Sequence, residues 1–256
     1  TSGTRRLTMT TWTMPGIDFM MLCSRFGRDR LPYPLAVTID VDTVDELRQL
    51  RLEASARIDA MMDEKLGAAV RTVVDPIVRI ECRGETTDSR YGIMRSHAAI
   101  RHDAAAVLTQ QPGPDASSGG AVTIELTGPD RAPAVVLGSL PNITAGHRPA
   151  ERLERAMAAA TSGGSHLSTA TRGATADEQF RSFFDRPRSA VGEIIVARGK
   201  TYDNRRDTDA VSFFWMDFER DGRYIVHSAK SIDIAPADTA GLASEIEGHV
   251  AVALRR

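Results

Sequence analysis

Arg83-Gly84-Glu85-Thr86-Thr87-Asp88-Ser89-Arg90 recurs 115 positions later as Arg198-Gly199-Lys200-Thr201-Tyr202-Asp203-Asn204-Arg205, with Arg, Gly, Thr, Asp and Arg at matching places. Each copy follows an apolar run, Ile77 to Cys82 in the first and Val191 to Ala197 in the second. Such a run ahead of Gly, Thr and Asp predicts a strand leaving into a polar turn. A period this long implies duplicated subdomains rather than a solenoid, whose repeats are shorter.

The flanking segments repeat in the same order. After the first copy come apolar stretches at 91–100 and 104–110, a breaker-rich loop at 112–120, a strand at 121–126, and Gly128-Pro129-Asp130 ahead of an apolar run. After the second come 210–218, 224–228 and 231–234, and then Pro236-Ala237-Asp238 opens an apolar helix over 239–254. Four strands and a helix fit both halves. Asp221-Gly222 between Phe218 and Tyr224 predicts a hairpin whose two central residues take positive φ. These boundaries give an N-terminal α+β half at 1–145, a helix and flexible linker at 146–173, and a C-terminal α+β half at 174–256.

Ahead of the first repeat, Leu7 to Trp12 alternates like a strand, and Pro15 starts a helix with Ile17, Met20, Met21 and Cys23 that stops at Gly27. Leu31-Pro32-Tyr33-Pro34-Leu35 is extended, because each proline restrains the residue before it. Ala36 to Ile39 continues it as a short strand. Thr43 and Glu46 have capping-box spacing. From there a helical pattern runs to Asp75-Pro76, with a break expected near 55–59. Pro149 to Ala160 reads as helical, 161–173 as a Ser/Thr/Gly linker, and Asp177 to Phe184 as a helix.

Composition narrows the function. The 256 residues are 42% hydrophobic, enough for a sizeable core, and 32 basic against 34 acidic residues give a formal charge of −2. That balance offers no field for a phosphate backbone, so nucleic acid is not an expected partner. No apolar run approaches the length of about 20 residues that spans a bilayer, and no signal segment opens the chain. No membrane insertion is expected. Cys23 and Cys82 read as buried thiols of a reducing cytoplasm rather than as a disulfide framework.

Catalytic signatures are missing. There is no nucleophile elbow, phosphate loop, dinucleotide glycine fingerprint or metalloprotease helix, and the six histidines are scattered. No cofactor or metal is expected. The repeated Arg-Gly motif has two readings. In one, Arg83, Arg90, Arg198 and Arg205 with turn N–H groups form an anion site of a small-ligand enzyme. In the other, Gly supplies an unusual backbone angle and Thr and Asp close a turn. The aromatic run Val211-Ser212-Phe213-Phe214-Trp215-Met216-Asp217-Phe218 is apolar on both faces, which suits a strand covered twice or one with a face left open for a partner.

Together these segments resemble the EspG family, cytoplasmic chaperones of type VII (ESX) secretion in mycobacteria and related actinobacteria. The resemblance rests on the opening strand and helix followed by Leu31-Pro32-Tyr33-Pro34-Leu35-Ala36-Val37, on Val73-Val74-Asp75-Pro76-Ile77, and on Pro187-Arg188-Ser189-Ala190-Val191-Gly192-Glu193-Ile194. It implies an α+β fold of two quasi-symmetric subdomains, each a mostly antiparallel sheet with packed helices, sharing a central sheet. It also implies a protein without enzymatic activity that binds the helical tip of a PPE subunit in a PE–PPE heterodimer. The partner-binding positions it implies are Glu193, Trp215 and, in the loop from Gly84 to Ser89, Glu85 and Asp88. The flat strands of a duplicated sheet also leave a homodimer open.

Overall fold

Ten antiparallel strands form one sheet in the computed structural model, which describes residues 10–87, 92–154, 176–201 and 209–255. The N-terminal half contributes β1 (Thr10–Met14), β2 (Val78–Thr86), β3 (Ile93–Ile100), β4 (Ala105–Pro112) and β5 (Gly119–Thr127). The C-terminal half contributes β6 (Glu151–Glu154), β7 (Arg188–Arg198), β8 (Val211–Phe218), β9 (Gly222–Ser228) and β10 (Ser231–Pro236). Their spatial order is β1-β5-β4-β3-β2-β7-β8-β9-β10-β6, so each half is a meander capped by its first strand and the halves meet at β2 and β7. Each meander is followed by a helix, α4 (Ala132–Leu137) in the first half and α6 (Thr239–Arg255) in the second. The expected order of four strands and a helix, twice, is therefore present.

The Arg-Gly motif does not mark equivalent positions. In the regular pairing of β2 with β7, Arg83 lies opposite Glu193 and Val78 opposite Arg198. Because side chains alternate across a strand, Arg83 and Arg198 project from opposite faces of the sheet. A two-fold axis normal to the sheet would put equivalent residues on one face. Gly84 is an in-strand residue, whereas Gly199 has a φ of +62° and turns the chain away after β7. The glycine part of the turn reading is thus met by Gly199 and not by Gly84, while Asp88 and Asp203 lie outside the described residues.

Helices cover the sheet unevenly. On the closed face, α4 and α6 pack over its centre, burying Ile80, Cys82, Ile194, Phe213 and Trp215 beneath Val136, Leu242 and Ile246. On the opposite face, α1 (Gly16–Arg25), α2 (Val44–Met61) and α3 (Glu64–Val74) cover the N-terminal strands, and Phe183 of α5 (Ala176–Phe184) covers β8 to β10. Thr43 and Glu46 make the expected capping box. The break between α2 and α3 falls at Met62 and Asp63, later than the sequence suggests, because Asp63 caps α3 by accepting from the Leu66 N–H at 2.6 Å. Ala36 to Ile39 is not a strand; its Ala36 carbonyl accepts from Gln110 Nε2 and from the Gly119 N–H. Glu151–Glu154 is strand rather than helix, held by pairing with β10. The linker at 161–173 lies outside the described residues.

The crossover between halves is clamped. Arg223, fully buried on β9, donates Nε and Nη2 to the Asp217 carboxylate at 2.7 and 2.8 Å and Nη2 to the Pro141 carbonyl at 2.8 Å. Beside it, Asp221 accepts from the His147 N–H, the Tyr224 hydroxyl and Arg186. Burial alone would raise the Asp221 carboxyl, but these donors outweigh it and hold it down at about 2. The hairpin expected here is present, with positive φ at Arg220 (59°) and Gly222 rather than at Asp221. Both cysteines are free and buried, and burial pushes each thiol up to about 12.

Removing Arg223 alone strands the Asp217 charge in the core. Arg223→Leu is expected to cost about 3–5 kcal/mol of unfolding free energy, and Arg223→Leu with Asp217→Leu to recover most of it. Urea denaturation measures both; a single-variant cost under about 1 kcal/mol contradicts the clamp.

Candidate partner-binding face

A single row of side chains crosses the face opposite α4 and α6 from one sheet edge to the other. It runs Met14, Val122, Gln110, Arg95, Arg83, Glu193, Phe214, Val226, Ile234 and Glu151, each opposite the next. The inner part of each flank is apolar and lies under helices. Its centre is charged and, among the described residues, no helix covers it.

This centre forms an open strip on β2, β7 and β8. Val191, Glu193, Ile195, Ser212 and Phe214 are half-buried there, and the Glu85 side chain is 57% exposed, accepting from Arg83 Nη2 at 3.2 Å. One wall is α5, where Phe184 packs with Phe214 and Val191 against the buried cluster and stacks on Phe180 at 4.5 Å. Phe180 is 42% exposed, so the wall adds exposed apolar surface beside the floor. The other wall is the Leu31 to Leu35 segment. Pro32, Pro34 and Leu35 are buried in it, and Tyr33 is 46% exposed.

Beneath that segment the floor is polar and buried. Arg79 Nε donates to Glu81 at 2.8 Å, and Arg79 Nη1 donates to the carbonyls of Arg198 and Gly199. Arg95, 2% exposed, donates Nη2 to the Ala116 carbonyl, while its Nη1 finds no acceptor. His97 bonds the Tyr33 carbonyl through Nδ1 at 2.8 Å, and its Nε2 has no partner. Burial pushes the His97 imidazole down to about 3, against the raising effect of the Tyr33 carbonyl. It therefore stays neutral, donating from Nδ1.

Of the residues expected from the sequence, the structure brings Glu193 and Glu85 to this strip. Asp88 lies outside the described residues. Trp215 does not reach it: the indole is fully buried on the closed face, one residue out of phase with Glu193. Phe214, directly opposite Glu193, is the aromatic of the open face. Sequence reasoning missed it because β8 is apolar on both faces, and only the register with β7 separates the two. The expected loop from Gly84 to Ser89 begins later than the sequence suggests, since Gly84 to Thr86 belong to β2.

Arg83 and Arg198 lie on opposite faces, Arg198 bonding the Ala253 carbonyl of α6, so they frame no common anion site. Arg90 and Arg205 lie outside the described residues. Among the described residues, no three His, Cys, Asp or Glu side chains gather to hold a metal ion, and no helix is long and apolar enough to cross a membrane.

The model of the EspG family matches residues 18–248, nearly the whole chain. The chain belongs to the EspG family. No curated protein matches it in sequence. Among solved structures, this EspG-family chain is similar to the Mycobacterium tuberculosis type VII secretion system chaperone EspG5, determined in complex with a PE25–PPE41 dimer. The similarity has a TM-score of 0.57 at 10% identity and covers 93% of this chain and 95% of EspG5. At that identity it establishes the shared fold: an α+β protein built on one large antiparallel sheet.

The neutral His97 gives a pH test. Its folded pKa, about 3, lies below the unfolded value of about 6.5, so its contribution is present above pH 6.5 and lost as pH falls towards 3. Its share of the slope approaches about 1.4 kcal/mol per pH unit. Stability measured by urea denaturation between pH 7 and 4.5 should fall less in His97→Gln than in the parent. Equal slopes contradict a neutral buried imidazole.

Proposed function

We propose that the chain is a non-catalytic secretion chaperone of the cytoplasm that binds the helical tip of a PPE subunit within a PE–PPE heterodimer, keeping that apolar end soluble for type VII export. The observation that carries the reading is the uncovered central strip of the sheet in a chain of the EspG family. An apolar floor and wall from Phe214, Val191, Phe184 and Phe180 suit the apolar end of a helical hairpin. Glu193 and Glu85 supply charge beside it, with Asp88 a further expected contact, and such charge selects partners and sets orientation more than it adds affinity. Trp215 supports the same strands from behind.

Coexpression with the PE–PPE pair of its own secretion locus should yield a soluble ternary complex on size exclusion. Separate elution of every cognate pair contradicts the reading. Within the complex, Phe214→Ala is expected to weaken binding about tenfold or more while the protein stays folded. Glu193→Arg should also weaken it, through charge reversal, with the larger change in association rate. Unchanged titration curves for both variants would remove the open strip from the interface.

A further inference from the structure

We propose that Trp215 is a positioning residue for the open face: its indole, seated on the Gly84 and Gly192 pair, holds the seam between β2 and β7 at the rungs carrying Arg83, Glu85 and Glu193. This rests on the open face being the partner surface. Gly84 and Gly192 are directly opposite each other at the seam between the two halves. Cross-strand side-chain pairs are the usual stabilising unit of a sheet, and this rung has none. The indole takes their place. A Cβ built on Gly84 would lie 2.5 Å from Trp215 Cζ2, and one on Gly192 would lie 2.6 Å from Trp215 Nε1 and 2.6 Å from the Arg83 carbonyl. The ring therefore rests on the main chains of both strands, which no side chain other than glycine permits.

Its other side is fixed too. The Arg223 guanidinium lies 5.3 Å from the ring centroid and is itself held by Asp217 and the Pro141 carbonyl. Trp215 Nε1 is buried with the Cys82 thiol, a weak acceptor, as its hydrogen-bonding neighbour, a placement that the fit of the ring on the glycine pair explains. Arg83 and Glu85 flank Gly84, and Val191 and Glu193 flank Gly192. Alternation sends all four side chains to the open face. Any displacement of the ring from the seam moves the backbone that carries them.

A rescue experiment separates this from ordinary core packing. In the free protein, Gly84→Ala should raise amide hydrogen exchange of residues 81–85 and 191–195 by about tenfold or more, because the added methyl collides with Cζ2, while β4 and β5 stay protected. Adding Trp215→Phe, which removes that atom, should restore protection in the double variant. Affinity for the PE–PPE pair should follow the same order. If Gly84→Ala leaves the seam unchanged, loosens the whole sheet alike, or is not rescued by Trp215→Phe, the positioning role is overturned. If exchange follows the expected order and affinity does not, the seam role stands and the assignment of the open face fails. Where Gly84→Ala does not fold, Trp215→Ala carries the test, with exchange at the seam rising before exchange in β4 and β5.

Discussion

The pairing of β2 with β7 is the constraint on which the molecule depends. Nine rungs, from Val78 opposite Arg198 to Thr86 opposite Ala190, join two meanders into one continuous sheet. Parallel or shifted pairing would change which side chains share a face; a slip of one residue would turn one strand over against the other, putting either Ile194 on the open side and Glu193 under α4 and α6, or Ile80 and Cys82 on the open side and Arg79 and Glu81 under those helices. Burying those charges without their partners would cost far more than the apolar burial returns. The register is thus fixed by chemistry on both faces at once.

From that register follows the division of labour between the faces. The closed face is apolar at its centre and buried by α4 and α6, while helices on the other face stand over the flanks. What remains is a strip at the seam between the halves, floored by strands that neither half could supply alone. A binding surface built on paired strands is stiffer than one built on loops, which suits recognition of a preformed helical tip.

Signals carried by a few adjacent residues were legible in the sequence. The Thr43 and Glu46 capping box, the hairpin at Asp221-Gly222 and the order of four strands and a helix are each set by local backbone chemistry. Features set by pairing were not. The 115-residue repeat pointed to two halves, yet an odd offset places its arginines on opposite faces, so its matching letters mark different structural positions. Glu151–Glu154 reads as helix but is strand because β10 offers an edge. The resemblance implies Trp215 on β8, a strand apolar on both sides, and only the register with its neighbour β7 decides that Phe214 is the residue facing out. The pair of buried Asp18 with exposed Arg57, which ties α1 to α2, had no signal at all beyond two charges 39 residues apart.

On the proposed reading the partner lies on the open strip and not over the helices of the closed face. Hydrogen exchange of the chain alone and with the proposed PE–PPE partner measures this directly. Protection gained on β7 and β8 around Val191 to Ile195 and Ser212 to Phe214, with α4 and α6 unchanged, is the predicted result. Protection confined to α4 and α6, or to the exposed first turns of α2, would contradict it.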